Sequence, residues 1–334
     1  MQNVRVLVTG GNGFIGSHLV RGLKQKGAWV RVFALSGTDT SSIDGVADEV
    51  VLGNVCHLET LVLAVEGIEV VFHLAALVID WGSMETFRAV NVGGTRNVLD
   101  AAIEAGCRRF ILMSSLAVHR YRHIEDGNEE WPKDATEPAY AISKKEAEEV
   151  ALAKADSIEV VIVRPGLFPF GPGDVHNIYQ VLQAIHSGTF GFINGGNHRF
   201  CISYVDNLVH GLIATATVKE AAGEVFVICD DETLSWREFS TQVSLMLGRK
   251  PPRLSFPFRL LAPVVWLWEG LYKLLRIKKA PLLTLYRLRV SSTTLLFSNE
   301  KAKNLLGYCP EVSLQQGLQQ TVEWYKEYRD LKGS

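Results

Sequence analysis

Cysteines are few, and none is spaced for a shared task. Cys56, Cys107, Cys201, Cys229 and Cys309 are odd in number, scattered, and form no CxxC pair. That argues against a disulfide frame or a zinc centre and for free thiols in a reducing compartment. The chain also lacks any uninterrupted apolar run of about 18 residues, so no membrane-spanning helix is indicated. It lacks a basic excess: 34 Lys and Arg against 36 Asp and Glu leave a net charge of −2, so no nucleic-acid partner is expected. His73, His119, His123, His176, His186 and His198 show no metal-ligand spacing, and no metal is expected. His119 and His123 stand four apart, but in a polar stretch that reads as loop. A strand pattern beginning near Val4 leaves no room for a signal peptide. The expectation is a cytoplasmic protein.

What the 334 residues do contain is 47% hydrophobic and 21% charged side chains, enough for a full core in one large domain or two of ordinary size. The first two-thirds alternates β-branched runs with helical patterns. VRVLVTG (4–10), WVRVFAL (29–35), VVLGNV (50–55), VVFHLAA (70–76), RRFILMSS (108–115) and EVVIVRPG (159–166) read as strands. Helices are predicted over 16–27 and near 58–66, 85–105 and 139–155. This alternation predicts an α/β fold, a Rossmann-type doubly wound parallel sheet, in residues 1–165. GLFPFGPGD (166–174) reads as a loop, EVFVICD (224–230) as a strand, and Ser235 with Glu238 as a capping box. A last helix is expected near 313–329. Residues 166–334 are expected to be mostly a smaller, mainly helical substrate lobe, with some segments returning to the first domain.

Two constellations carry chemistry. In VLVTGGNGFIG (6–16) a strand gives way to a glycine-rich turn and then a helix. Gly10 permits the tight turn, Gly13 lets backbone approach a pyrophosphate, and Gly16 lets helix pack on strand. The helix start at Phe14 and Ile15 offers N–H groups to the phosphates. The alternative is a plain glycine-rich turn. In YAISK, Tyr140 and Lys144 stand four apart on a predicted helix and so share a face. An ammonium beside a phenol lowers its pKa and equips it for proton transfer. Ser114 and Ser115 end a strand at the carboxyl edge of the sheet, where ligands bind in such folds.

The spacing GxxGxxG in TGGNGFIG resembles the cofactor fingerprint of the extended short-chain dehydrogenase/reductase family (NAD-dependent epimerase/dehydratase superfamily). Ser115, Tyr140 and Lys144 follow in that family's order, with Ser115 25 residues before Tyr140. FHLAA (72–76), NVGGTRNVL (91–99), RPGLFPFGPGD (164–174) and YVDNLVHGL (204–212) extend the likeness over nearly the whole chain. The resemblance implies hydride transfer between nicotinamide and a carbinol or ketone carbon. Tyr140 is then the general acid/base, Ser115 polarises the substrate oxygen, and Lys144 holds the ribose. Asn91 either orients a water beside Lys144 or ties helix to strand. Leu74, Ala75, Ala76, Val55 and Pro165 line the expected cofactor path.

The cofactor is NAD or NADP. The acidic position that selects NAD falls on Ala34, and the position of a 2′-phosphate-binding arginine falls on Ser36. Ser36, Gly37 and Thr38 offer hydrogen-bond donors to a 2′-phosphate instead. Asn54 stands where the family often has an adenine-contacting aspartate.

Residues 251–290 set Arg253, Arg259, Lys273, Arg276, Lys278, Lys279, Arg287 and Arg289 against one acid, Glu269, among leucines, Phe256, Phe258, Trp266 and Trp268. This reads as a wall for a small apolar substrate, as a peripheral surface for anionic lipid, or as an ordinary basic lobe. Within the family the layout looks like the 3β-hydroxysteroid dehydrogenase branch, and dihydroflavonol-reductase-like members and reductases of long-chain 3-oxo acids share many motifs. The leading expectation is therefore an NAD(P)-dependent oxidoreductase on a sterol-like or 3-oxoacyl-like alcohol or ketone. Two alternatives are a nucleotide-sugar epimerase/dehydratase, using Arg199, Arg276 or Arg287 for a diphosphate, and a non-enzymatic dinucleotide sensor. The resemblance also implies a homodimer.

Overall fold

The β-branched runs become seven strands: β1 (Arg5–Thr9), β2 (Trp29–Leu35), β3 (Glu49–Gly53), β4 (Val70–His73), β5 (Arg109–Met113), β6 (Glu159–Pro165) and β7 (Val225–Ile228). The computed structural model describes residues 1–275, 277, 279–281 and 283–333, so Arg276 and Lys278 lie outside the described residues. The strands run β7-β6-β5-β4-β1-β2-β3 across one sheet, and every neighbouring pair is parallel. Strand order reverses between β1 and β4, which places a crevice at their carboxyl ends.

The period of two along each strand sorts its side chains onto two cores. Val6, Val8, Val70, Phe72 and Ile111 face the helices Phe14–Gln25 and Val205–Thr217. Leu7, Val71, Phe110 and Leu112 face the helices Gly94–Glu104 and Ala139–Leu152. All five side chains of β5 are buried, as expected for a strand covered on both faces.

Three of the segments read from the sequence take another form. The helix expected near 85–105 is Met84–Phe87, a π-helical turn Arg88–Gly93, and then Gly94–Glu104. The wide turn places Asn91 against both the loop after β4 and the helix Ala139–Leu152. The helix expected near 58–66 is a 3-10 turn, Leu58–Thr60, and one turn of α-helix, Val62–Val65. Within the stretch read as a loop, Phe168–Phe170 is a strand paired with Arg199–Tyr204. The capping box does form: Ser235 Oγ accepts from the Glu238 N–H at 3.2 Å, and Glu238 Oε2 accepts from the Ser235 N–H at 2.8 Å.

The second half supplies helices Ile178–Ser187, Trp236–Met246, Phe258–Leu274, Leu285–Val290, Glu300–Leu306 and Leu314–Gly333. Glu300–Leu306 packs on the large sheet beside β7, and this half also holds a small five-stranded sheet that the sequence reading did not foresee. Thr233–Ser235, Arg199–Tyr204, Leu295–Phe297 and Ile124–Gly127 lie in that order, with Phe168–Phe170 also on Arg199–Tyr204. The two halves thus exchange strands: β7 joins the first sheet and Ile124–Gly127 joins the second. No described helix is long and apolar enough to cross a membrane.

Candidate active site

At the carboxyl end of β1 the chain turns at Gly10, whose φ is +70°. A Cβ on Gly10 would lie 3.0 Å from the backbone of Ala75, and one on Gly16 would lie 2.2 Å from the Gly10 carbonyl oxygen. Only hydrogen fits at position 16, so the helix starts hard against the turn. Gly13 is exposed and caps the helix. Phe14 and Ile15 are half-buried and turn their side chains against the cores, which leaves their backbone to face a phosphate. This cradle, closed to a Cβ on one side and open at Gly13, fits a dinucleotide pyrophosphate. Thr9 Oγ1 accepts from the Ala75 N–H at 3.2 Å, which seats Leu74, Ala75 and Ala76 beside the glycines.

Ser36 and Asn54 come together past the ends of β2 and β3, where the Ser36 N–H donates to the Gly53 carbonyl at 3.1 Å. Ala34 is fully buried and Leu35 is 53% exposed, so no acidic group marks this rim at either position. The Thr38 hydroxyl donates to the Leu35 carbonyl at 2.6 Å and accepts from Asn12 at 3.0 Å. It is therefore not available as the donor that the sequence suggested. The Asn54 side-chain Oδ1 accepts from the Cys56 N–H at 2.9 Å, which closes a local turn. Val55 is buried beneath Gly94, and Pro165 is buried at the end of β6.

The catalytic candidates converge where β5 ends. Ser115 Oγ accepts from the Ala117 N–H at 3.1 Å and lies beside the Tyr140 hydroxyl. Burial raises the Tyr140 pKa, and the Ser115 hydroxyl pulls the other way without reversing it. The expected lowering by Lys144 is not found: the Lys144 ammonium donates to the Met113 carbonyl at 2.5 Å. Burial brings Lys144 down to about 8, and Glu148 opposes that shift. Ser114, the other serine considered, donates to Glu148 Oε1 at 2.6 Å and is a structural partner. Asn91 is buried and holds the loop after β4: it accepts from the Leu77 N–H at 2.7 Å and donates to Ser143 Oγ at 2.9 Å.

Sequence reasoning missed the platform beneath this set. Glu148 is one helical turn beyond Lys144 and accepts from Arg164 Nε at 2.8 Å and Nη2 at 2.7 Å. Both side chains are buried, and Lys133 Nζ lies 3.4 Å from Glu148. Burial pushes the Glu148 pKa up, but Arg164, Ser114 and Lys133 together hold it below the ordinary carboxylate range. The four-residue spacing on one helix was the available signal. His73 is buried between Thr9 and Thr95 at 2.8 and 3.1 Å. Burial first, then Lys144, lowers its pKa to about 3, so it stays neutral. Arg199 donates to Glu238 and Thr233, and Arg287 to Asp80, so both described arginines considered for a diphosphate are already held in ion pairs.

The model of the 3-beta hydroxysteroid dehydrogenase/isomerase family matches residues 7–258. The chain is 32% identical to 2-alkyl-3-oxoalkanoate reductase of Stenotrophomonas maltophilia, over 94% of this chain and 97% of that protein. It is 33% identical to 3 beta-hydroxysteroid dehydrogenase/Delta 5→4-isomerase of Mycobacterium tuberculosis, over 96% and 90%. Among solved structures, gox2253 superposes with a TM-score of 0.81 at 28% identity, covering 98% of this chain and 99% of that one. The chain belongs to the 3-beta hydroxysteroid dehydrogenase/isomerase family of NAD(P)-dependent oxidoreductases.

Proposed function

We propose that this enzyme interconverts a secondary alcohol and a ketone on an apolar, sterol-like or 3-oxoacyl-like substrate, with Tyr140 as general acid/base. The observation that carries the reading is the meeting of the Ser115 and Tyr140 hydroxyls at the carboxyl edge of the sheet, beside the crevice that the strand reversal opens. A nicotinamide dinucleotide, when bound, supplies or accepts the hydride. Gly10, Gly13, Gly16 and the backbone of Phe14 and Ile15 hold its pyrophosphate. Lys144 holds its ribose, and Leu74–Ala76, Val55, Asn54, Ser36 and Pro165 line its path.

The raised pKa keeps the Tyr140 phenol protonated at neutral pH, the state that reduction requires. Tyr140 then donates its proton to the oxygen that gains charge, while Ser115 hydrogen-bonds the same oxygen. Asn91 positions the loop after β4 against the Tyr140 helix. In a screen with NADH and NADPH, the purified chain should bind a reduced dinucleotide and consume it with an apolar ketone. Tight retention of NAD with no net turnover, alongside conversion of a nucleotide sugar, would replace this reading with the epimerase one.

The helix Phe258–Leu274 presents two apolar stripes. Phe258, Leu261, Val265 and Tyr272 turn inward, whereas Leu260, Leu267 and Leu274 are 70%, 65% and 78% exposed. Trp266 and Trp268 flank the outer stripe, Arg259 and Lys273 lie near its ends, and Glu269 faces in, accepting from the Leu285 N–H at 2.6 Å. An apolar face edged by cations and aromatics suits the surface of an anionic bilayer. The chain should co-sediment with phosphatidylglycerol-containing vesicles and not with pure phosphatidylcholine. Leu267→Asp with Leu271→Asp should abolish this while dinucleotide binding persists; unchanged sedimentation would remove lipid contact from the reading. Assembly as a homodimer through the Gly94–Glu104 and Ala139–Leu152 helices is proposed from the family likeness and is testable by sedimentation velocity.

A further inference from the structure

Two more phenols stand beside Tyr140. The loop after β5 carries Tyr121, and the short helix Leu285–Val290 carries Tyr286. Their hydroxyl oxygens are 2.9 Å apart and their ring centroids 5.3 Å apart. Tyr121 and Tyr140 pack on the same patch of Ala117, Ala135 and Ala141. Both Tyr121 and Tyr286 lie near enough to Tyr140 that an ionised Tyr140 would raise their pKa. Burial holds both phenols above their ordinary pKa, so each keeps its proton.

Tyr286 is not free to wander. Arg287 donates to both carboxylate oxygens of Asp80, at 2.9 and 2.8 Å, and Thr284 donates to the same carboxylate at 2.6 Å. Arg289 pairs with Glu137, the loop residue just before the Tyr140 helix. One short helix is thereby fastened to the loop after β4 and to the start of the catalytic helix, with Tyr286 between the two fastenings.

Two neutral hydroxyls facing one another have two protons for one shared hydrogen bond. One O–H donates to its neighbour. The second finds no acceptor among the described residues. The pair is half-buried, so the spare O–H is within reach of a bound molecule and can donate to any oxygen placed beside it. We propose that the Tyr121–Tyr286 pair is a second oxygen-binding subsite, whose remaining O–H donates to an oxygen that the substrate carries close to the reacting carbon. This rests on the oxidoreductase reading above. It narrows the substrate class to 3-oxo or 3-hydroxy acyl compounds and their cyclic counterparts, in preference to lone ketones or alcohols.

The test compares ethyl 3-oxodecanoate with decan-3-one, using the full chain and whichever of NADH or NADPH it binds. The wild type should favour the dioxygenated ketone by about tenfold in kcat/KM, chiefly through KM, the worth of one good hydrogen bond. Either single variant, Tyr121→Phe or Tyr286→Phe, leaves one phenol to donate and should retain part of the preference. The double variant should lose about tenfold of that ratio, down to the intrinsic difference in reactivity between the two ketones. Dinucleotide binding by fluorescence confirms that each variant is folded. A wild type that does not discriminate, or a double variant that keeps the wild-type ratio, overturns the subsite, including the case in which the O–H meets only water. Failure of both ketones with dinucleotide bound overturns the apolar-ketone reading of the substrate and the subsite with it.

Discussion

Tyr140→Phe should reduce kcat by about a thousandfold or more, while NADH or NADPH still binds and the melting temperature stays within about 2 °C. The substitution removes one hydroxyl from a side chain whose ring packs on Ala117, Ala135 and Ala141, so the fold loses almost nothing. On the proposed mechanism the reaction loses its proton source. Ser115 remains beside the reacting oxygen but has no comparable acidity. Stopped-flow measurement of dinucleotide oxidation would show the difference directly. Residual turnover above about a tenth of wild type would mean that another group supplies the proton, well outside the range for losing a general acid.

Glu148→Ala should unfold much of the protein at moderate temperature, with a loss of about 3–5 kcal/mol. Its carboxylate faces Arg164, which is also fully buried, and removal leaves that guanidinium without a counter-charge. Glu148→Gln keeps the shape and part of the hydrogen bonding, so it reports on chemistry. Burial already brings Lys144 down to about 8, against the pull of Glu148. Without that negative charge the ammonium ionises at still lower pH. The alkaline limb of kcat/KM, where Lys144 loses its proton, should therefore move to lower pH in Glu148→Gln. A limb that stays in place would separate Glu148 from the lysine's charge. The stability sign is opposite in sense. The folded-state pKa of Glu148 lies below its ordinary value, so its contribution is present above the unfolded carboxylate range and is lost as pH falls through the folded value.

The placement of the glycines, Ser115, Tyr140 and Lys144 was legible because it depends on local geometry: a turn with no room for a Cβ, a strand end, and a helical spacing of four. The seven strands were legible because a sheet buried on both faces needs nearly continuous apolar runs. The small second sheet was not. Its strands are three to six residues long, and Ile124 pairs with Leu295, a partnership that no local pattern announces. The same distance hides Tyr286 from Tyr121 and Arg287 from Asp80. Lys144 shows a different limit. Spacing put it on the Tyr140 face, but spacing does not say that its ammonium would reach the Met113 carbonyl while burial raised the phenol.

The exchange of strands between the halves governs how this polypeptide can be divided. A cut after Pro165 strips the Glu159–Pro165 strand of its outer neighbour and leaves a row of unmatched amides and carbonyls. It also uncovers the sheet face that Val205–Thr217 shields. The nucleotide-binding part is therefore no detachable module. A chimera that transplants a foreign specificity lobe has to keep 205–228 with the recipient and bring its own counterpart of 124–127.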